Sequence, residues 1–522
     1  MKTLMPKDVY IDFLCWSSAF KTVVHLRKDG LGKVYYVNVS RFFVPFVKFL
    51  EKTLKSPVVQ IEDIVLGEEK LEGVSLYETV HDRIETLLSE WIAEEEMAKF
   101  IMDFCTANQL NPDKFEVHLK EAAFELVYRP VEMSVISDYL SGKNPVSFVL
   151  RRSPLSVLMS EGFDTVYFYR TFFSHTVAVE NRNDYFYDTF VNKGYFAGRF
   201  KTIGRFWYRW LKDLAGSLFS GDHSQKADYS VVRIGVELTQ NRVRHDEIND
   251  ISWLQSSGIE MENVCGLQME NFDEQSVVTL NELKIPRYVI AGGACDAQSL
   301  KNAKTIGIQR RYLLSTVGMV VGLLKCLLMW NEDSWLRLQS VRYVYRSMFW
   351  YSIYEQLGIK VLWTMYDMDE DKLAKGQAIE LLGGLYTGGH WSNLLIHHVH
   401  NQKCFDVLFT WGEHFVRNNF NRYPFMAIFF TGYPCDYYFK MHKHSAGLIR
   451  KRHEGKFIIS YHDNVMRNDL PYSKSMQLDI HRVLISLLRK FENVVVFLKP
   501  KRKFVLDEII KDLPELQEMI DR

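Results

Sequence analysis

Continuous apolar segments, separated by stretches with helical spacing, dominate the chain after residue 228. Each segment is short, rich in β-branched and aromatic residues, and bounded by polar or turn residues, which is the pattern of a strand. The segments are residues 229–238, 263–267, 288–293, 359–366, 405–412, 425–434, 457–463 and 494–501. Continuous rather than alternating hydrophobicity is typical of parallel strands covered by helices on both faces. We therefore predict an α/β protein of Rossmann-like units.

The N-terminal part of the chain begins with the same kind of pattern. Residues 33–39 form an apolar run that predicts a strand, and residues 41–54 change to helical spacing. Residues 58–61 predict a further strand. Residues 62–99 are rich in Glu, with apolar residues at helical intervals, which predicts helices with a solvated face.

A polar segment without periodicity, residues 221–226, predicts a linker. The hydrophobic pattern changes at this segment, to apolar strands separated by stretches with helical spacing, and we predict three regions. They are an N-terminal α/β region with a helical, aromatic-rich second half at 1–225, a Rossmann-like domain at 226–450 and a shorter Rossmann-like domain at 451–522.

Composition narrows the classes of protein. Hydrophobic residues make up 47% of the 522 residues, which excludes a disordered chain. The 64 basic residues balance the 64 acidic ones, so we expect no nucleic-acid partner, because neutralising phosphates needs a surplus of Lys and Arg. The seven cysteines fall into no metal-binding spacing and predict reduced thiols in a cytoplasmic protein.

One segment raises the question of a membrane. Residues 312–330 are apolar except for Ser315, Thr316 and Lys325, and their length approaches that of a membrane span. Because a Lys at the bilayer centre is costly, we favour a core helix. A helix that contacts the membrane surface, at the inner face of the cell membrane, and a span are the alternatives.

Candidate binding residues follow the predicted strands, because ligands of open parallel sheets bind beyond the carboxyl ends of the strands. The candidate segments are 410–413, 431–434, 461–464 and 499–503, together with the glycine-rich stretch 377–393. Each has a structural alternative. Gly412 and Gly432 can serve turns, His462 and Asp463 can form a turn and a helix cap, and the 499–503 run can be a solvated surface.

The distribution of charge along the C-terminal part of the chain indicates a phosphate-bearing ligand. Residues 440–503 carry 15 basic residues against 5 acidic ones, a local surplus that fits a phosphate partner. Lys and Arg, with helix N-termini, would neutralise a pyrophosphate and stabilise it as a leaving group.

The order of the motifs is more specific than any one of them. GQAIELLGG, FDVLFTWGEHF, a strand ending in TGYP, KFIISYHDN and VVVFLKPK follow one another. This succession, over about residues 351–503, resembles the bacterial surface carbohydrate biosynthesis proteins, a group similar to capsule-polysaccharide transferases. The resemblance implies a GT-B-like fold, with two Rossmann-like parallel-sheet domains facing a cleft. This chain would add an N-terminal α/β region and shorten the C-terminal domain, since about 20 residues follow KPK.

The resemblance also implies a site. The first domain would bind the glycan acceptor and the second a nucleotide sugar. We expect Glu413 or His390 as the catalytic base. The remaining expected contacts are Gly383, Gly384, Trp411 and Gly412 on the acceptor side, and Thr431, Gly432, Tyr433, His462, Asp463, Lys499 and Lys501 toward the donor.

The function expected from this resemblance is sugar transfer from a nucleotide sugar to a glycan or lipid-linked glycan during surface polysaccharide synthesis. Two alternatives stay open: a CDP-polyol phosphotransferase, and a non-catalytic glycan-binding or assembly protein. We expect no cofactor and no metal site. The nearest ligand cluster is His397, His398 and His400, without an evident carboxylate partner.

Overall fold

The structure is a computed structural model. It describes residues 6–26, 31–61, 66, 69–142, 145–156, 158, 165–170, 195–219, 232–238, 243, 251, 257–268, 271–290, 303–323, 326, 331–364, 371–389, 405–413, 427–432, 436–463, 474–500 and 503–521. The chain divides into two compact units. Unit A comprises Met1–Thr86, Glu125–Gly198 and Lys443–Arg522; unit B comprises Leu87–Phe124 and Arg199–His442.

Unit A is built on a five-stranded sheet. Its strands are β1 (Lys7–Leu14), β2 (Leu31–Val39), β3 (Val58–Gln60), β6 (Val146–Arg151) and β7 (Val166–Tyr169). They lie in the order β3-β2-β1-β6-β7, and every neighbouring pair is parallel. The chain therefore builds outward from β1 in one direction and returns to add β6 on its other side. The gap between β1 and β6 is a topological switch point, where such sheets bind ligands.

Strand β1 lies at the centre of this sheet because both of its faces are covered. Val9, Ile11 and Phe13 are fully buried and belong to the core that α1 (Trp16–Leu26) and α2 (Val47–Leu54) complete. Sequence reasoning did not predict β1, since Lys7, Asp8 and Asp12 interrupt its apolar pattern.

The remaining elements of unit A's sequence are a small hairpin, helices and a second, two-stranded sheet. The hairpin joins β4 (Lys70–Leu71) and β5 (Val74–Ser75). The two-stranded sheet pairs β16 (Phe457–His462) with β17 (Val494–Lys499) in parallel. The C-terminal helices are α13 (Lys443–Arg452), α14 (Lys474–Lys490), α15 (Lys503–Asp512) and α16 (Glu515–Asp521).

Unit B holds an eight-stranded parallel sheet. In chain order its strands are β8 (Arg233–Leu238), β9 (Val264–Gln268), β10 (Arg287–Ile290), β11 (Lys304–Ile306), β12 (Ile359–Thr364), β13 (Leu385–Gly389), β14 (Val407–Thr410) and β15 (Ala427–Phe430). They lie in the order β11-β10-β9-β8-β12-β13-β14-β15, so the switch point of this sheet is between β8 and β12.

The helices of the two units carry most of the buried aromatic residues in the described part of the chain. They are α3 (Leu76–Ala93), α4 (Glu95–Asn108), α5 (Pro112–Ser141), α6 (Tyr195–Phe219), α7 (Glu274–Glu282), α8 (Arg310–Ser315), α9 (Val317–Gly322), α10 (Glu332–Leu357), α11 (Lys372–Leu381) and α12 (Asp436–Met441). Helix α10 is almost entirely buried, with Trp335, Tyr343 and Trp350 nearly inaccessible. It begins at the Asn331 cap, which accepts from Ser334, and ends at Gly358 in the left-handed conformation.

The prediction of an α/β protein with large parallel sheets is confirmed, and these sheets are compatible with Rossmann-like domains. The GT-B-like arrangement stays a prediction. Every segment predicted as a strand after residue 228 contains one. The strands that sequence reasoning missed are β1, β6, β7, β11 and β13, together with the hairpin strands β4 and β5, which lie where only helices were predicted. The largest difference in layout is that a doubly wound sheet lies in the first 170 residues, while the strands in the described part of residues 451–522 are β16 and β17.

The apolar segment 312–330 does not form one long helix. Helices α8 and α9 are separated at Thr316, whose buried hydroxyl donates to the carbonyl of Leu313 and accepts from the indole of Trp210. Across the described residues, no helix combines the length and apolar character that a membrane span requires.

Candidate functional site

Two of the predicted groups meet at one edge of unit B's sheet. Trp411, Gly412 and Glu413 follow β14, and Thr431 and Gly432 follow the neighbouring strand β15. The amide of Thr431 donates to the carbonyl of Thr410 across 2.9 Å, which holds the two strand ends together. Glu413 and Thr431 are exposed, and Gly432 has a φ of +76°, as a turn requires.

Gly383 and Gly384 lie elsewhere. They precede β13, so they stand at the amino edge of the sheet, opposite to the edge of Trp411 and Glu413. The amide of Gly383 donates to Glu380 and that of Gly384 to Ile379, a pattern that ends helix α11. A Cβ on Gly384 would lie 2.4 Å from the carbonyl oxygen of Lys360. These glycines therefore serve the helix end, and the structure does not bring them to a common site with Trp411.

The rest of the GQAIELLGG motif also makes structural contacts. The side chain of Gln377 accepts from the backbone amide of Asn111 at 2.8 Å, and Glu380 accepts from the buried amino group of Lys114 at 2.7 Å. Helix α11 is thus tied to the start of α5 within unit B. The contacts account for the residue types of this motif without a ligand.

The predicted donor residues of the C-terminal strands lie together. His462 and Lys499 are register partners at the carboxyl ends of β16 and β17, and both are exposed. Asp463 follows His462 and is buried. Burial, and then the charge of Asp463, raises the pKa of the neighbouring Tyr461. The pair His462 and Lys499 could contact an anion, as the sequence predicts.

Several predicted residues lie outside the described residues: His390, Tyr433, Lys501 and the histidines 397, 398 and 400. Within the described part of the chain, no three His, Cys, Asp or Glu side chains cluster in a way that could hold a metal ion.

The most complete site is one that sequence reasoning missed. An open depression of about 580 Å³ lies in unit A, beyond the carboxyl ends of β1, β6 and β7, at the switch point of the sheet. We call it the basic depression. Its walls are Trp16, Ser17, Phe20 and Lys21 from the start of α1, Arg152 after β6, and Phe168, Tyr169 and Arg170 at the end of β7.

Charge and backbone both favour an anion in the basic depression. Lys21, Arg152 and Arg170 are its charged lining residues, and among the described residues no carboxylate pairs with Lys21 or Arg152. The N-terminus of α1 carries a partial positive charge, because its first amides have no carbonyl partner within the helix. The Ser17 amide contacts the Cys15 thiol. A helix N-terminus beside cations is a site for phosphate. The rings of Trp16 and Phe20 add a surface on which a planar group can stack.

A buried carboxylate organises the floor of the basic depression. Asp12, near the end of β1, accepts from the Tyr169 hydroxyl at 2.8 Å and from the backbone amide of Arg151 at 3.1 Å. The Arg151 guanidinium lies 3.7 Å from the same carboxylate. Burial raises the pKa of Asp12, against the lowering effect of Arg151. Asp12 thereby links the ends of β1, β6 and β7 and fixes Tyr169 in the wall.

The residues of this site are far apart in the sequence. Asp12 interrupts an apolar run near the N-terminus, whereas Arg152 and Arg170 lie about 140 and 158 residues after it. The usual glycine-rich turn is absent from FLCWSS, which joins β1 to α1. The sequence therefore carried no motif to mark the loop.

The switch point of unit B's sheet carries buried charges instead of an open basic surface. Lys375 of α11 pairs with Glu237 near the end of β8, and its amino group lies 4.6 Å from the centre of the Trp350 ring. Asp371 accepts from Trp350 at 3.2 Å and lies 3.1 Å from Arg346. These pairs fix the start of α11 beside β8 and β12.

Comparison with known proteins adds no relative. No protein-family model, no curated protein and no solved structure matches this chain. The resemblance to surface carbohydrate biosynthesis proteins therefore stays a prediction.

Proposed function

We propose that the protein is a glycosyltransferase-like enzyme of surface polysaccharide synthesis, and that the basic depression binds the phosphate-bearing nucleotide sugar. The observation that carries the proposal is the position of Lys21, Arg152 and Arg170 around the N-terminus of α1 at a switch point. Two doubly wound parallel sheets, one in each unit, are compatible with a GT-B-like architecture.

Sugar transfer places two demands on the protein. The diphosphate must be stabilised as it leaves, which cations and helix amides achieve. The acceptor hydroxyl must lose a proton to a base. In this proposal Lys21 and Arg152 serve the first demand. The second demand stays with the base predicted from the sequence, Glu413, which is exposed at the carboxyl edge of unit B's sheet; its position relative to the basic depression is no part of this proposal.

The depression also fits the size and chemistry of a nucleotide. Ligand pockets usually enclose about 300 to 1,000 Å³ and combine apolar walls with a few polar groups. The Trp16 indole and the Phe168 ring supply the apolar walls, and Ser17 supplies a hydroxyl. This wall also favours a nucleotide over inorganic phosphate alone.

The test is a thermal-shift screen against UDP, GDP, CMP, CDP and dTDP. A ligand at about 100 times its Kd should add roughly 2.7 kcal/mol of apparent stability. We expect one nucleotide to give a saturable shift in the wild type that is lost in Lys21→Glu and Arg152→Glu. Lys511→Glu makes the same change of net charge at an exposed residue of α15 in unit A and should keep the shift.

The screen also separates the alternatives. A shift confined to CDP and CMP would favour the CDP-polyol phosphotransferase. No shift with any nucleotide would contradict the proposal and favour a non-catalytic glycan-binding protein. If Glu413→Gln transferred sugar at the wild-type rate, Glu413 would not be the base.

A further inference from the structure

The outer surface of unit A near the basic depression is unusually aromatic. Trp16 and Phe20 lie four residues apart on the exposed side of α1, and Phe20 is 68% exposed. Phe42, which precedes α2, is 70% exposed, and Phe49, which lies in α2, is 65% exposed. Single exposed apolar residues are common on proteins, but a contiguous group marks an interaction surface.

One ring contact connects the exposed aromatic residues of α1 with those around α2. The Trp16 ring lies 4.6 Å from the Phe46 ring, so α1 and the segment before α2 meet through aromatic contacts. The opposite sides of both helices face the core, where Ala19 and Leu50 are buried. We call Trp16, Phe20, Phe42, Phe46 and Phe49 the aromatic face.

The aromatic face is bordered by cations. Arg41, Lys48, Lys52 and Lys55 are exposed, and Glu51 is the single acidic residue between positions 41 and 55. This combination of protruding rings and a local positive charge complements an anionic lipid surface, where rings enter the headgroup region and Lys or Arg contact lipid phosphates. A second copy of the chain would bring a second positive face, which disfavours self-association.

We propose that the aromatic face docks on the surface of an anionic lipid bilayer. The attachment differs from the one predicted for residues 312–330. Among their described residues, that segment is broken into two short helices, α8 and α9. The aromatic face instead combines exposed rings with a run of exposed cations.

Docking has a consequence for the proposed function. Trp16 and Phe20 belong both to the aromatic face and to the wall of the basic depression. A docked protein would hold the depression at the level of the headgroups, within reach of a lipid-linked acceptor. This consequence rests on the proposed function; docking itself does not, and it is measured without any nucleotide.

The test is co-sedimentation of the full chain with vesicles. Phosphatidylcholine vesicles are compared with vesicles that contain about 30% phosphatidylglycerol, because anionic lipid attracts the basic border. We expect the bound fraction to rise severalfold with phosphatidylglycerol and to fall at high salt. The double variant Phe42→Ser, Phe49→Ser should lose about tenfold in vesicle affinity, since two rings no longer enter the interface.

Matched variants separate surface chemistry from folding. Lys48→Glu with Lys52→Glu should abolish the preference for anionic vesicles. The control variant Val483→Ser with Phe504→Ser removes two apolar side chains elsewhere in unit A that are 58% and 55% exposed, and it should bind like the wild type.

Three results would overturn the proposal. They are wild-type protein that does not sediment with either vesicle, ring variants that bind as well as the wild type, and self-association through Phe42 and Phe49 in sedimentation velocity without lipid. The last result would make the aromatic face a protein interface. If the wild-type protein bound vesicles but gave no thermal shift with any nucleotide, only the proposed function would be refuted, and docking would stand.

Discussion

Lys375 and Glu237 form an ion pair that is almost entirely buried in unit B, with 1% and 4% of their side chains exposed. Replacing Lys375 by methionine keeps most of the side-chain volume but removes the ammonium group. The Glu237 carboxylate then loses this cation while it stays buried. Breaking a buried pair in this way costs about 3 to 5 kcal/mol, because burying the remaining charge is no longer compensated.

The expected result is a large loss of thermal stability. For domains of about 150 to 250 residues, each kcal/mol of lost stability lowers the thermal unfolding midpoint by about 2 to 4 °C. Lys375→Met should therefore lower the midpoint by roughly 10 °C. Glu237→Met should act similarly. The double variant, which replaces both charges by apolar side chains of similar volume, should be much more stable than the sum of the single effects implies.

The assay is thermal unfolding followed by circular dichroism, with Arg311→Met as the control. Arg311 pairs with Glu355 at 2.6 Å but is 63% exposed, and such pairs contribute at most about 1 kcal/mol. Our reasoning would be refuted if Lys375→Met shifted the midpoint no more than the control, or if the two single effects added fully in the double variant.

Further predictions concern pH, backbone space and thiols. Burial, and then the nearby Arg342, lowers the pKa of His118 to about 3, so the unfolded chain binds a proton there from about pH 6.5 downward while the folded chain does not. The free energy of unfolding should therefore fall as the pH drops below 6.5, and His118 alone should account for a loss of about 2 kcal/mol at pH 5. Thermal unfolding of His118→Phe should show a weaker dependence of stability on pH. Gly384→Ala should destabilise the protein, because its Cβ meets the Lys360 carbonyl, whereas Gly412→Ala, with nothing within 4 Å, should leave the unfolding midpoint unchanged. The described cysteines, which are buried and have raised thiol pKa values, should resist iodoacetamide in the native protein, as peptide mapping would show; they are Cys15, Cys105, Cys265 and Cys326.

Sequence patterns predicted the strands that are continuously apolar, such as β9 and β12, because burial on both faces leaves that pattern. They did not predict β1, where Asp12 is buried but satisfied by Tyr169 and Arg151. A buried carboxylate looks like an interruption until its partners are known, and these partners lie more than 130 residues away.

The candidate site shows the same limit. Local motifs pointed to Gly383 and Gly384, whose spacing is explained by a helix end. Residue type alone does not distinguish a glycine that ends a helix from one that approaches a ligand. Lys21, Arg152 and Arg170 come together only through strand order, which a single sequence does not encode locally.

The discontinuity of the units has a similar cause. Unit A collects three separate parts of the chain, and unit B takes Leu87–Phe124 from between two of them. Helices α3 and α5 carry their apolar residues at ordinary helical spacing throughout, so no change of composition marks these boundaries. The predicted linker at 221–226 lies outside the described residues.

The most direct test of the account is to find where a nucleotide binds. An azido derivative of the nucleotide that gives the largest thermal shift is photolysed with the full chain, and the labelled peptides are identified by mass spectrometry. The account predicts labels on residues 16–21, on Arg152 and on residues 168–170, removed by excess unlabelled nucleotide and by Arg152→Glu. Labelling confined to the His462 and Lys499 strand ends or to residues 411–432, or no nucleotide binding at all, would contradict it.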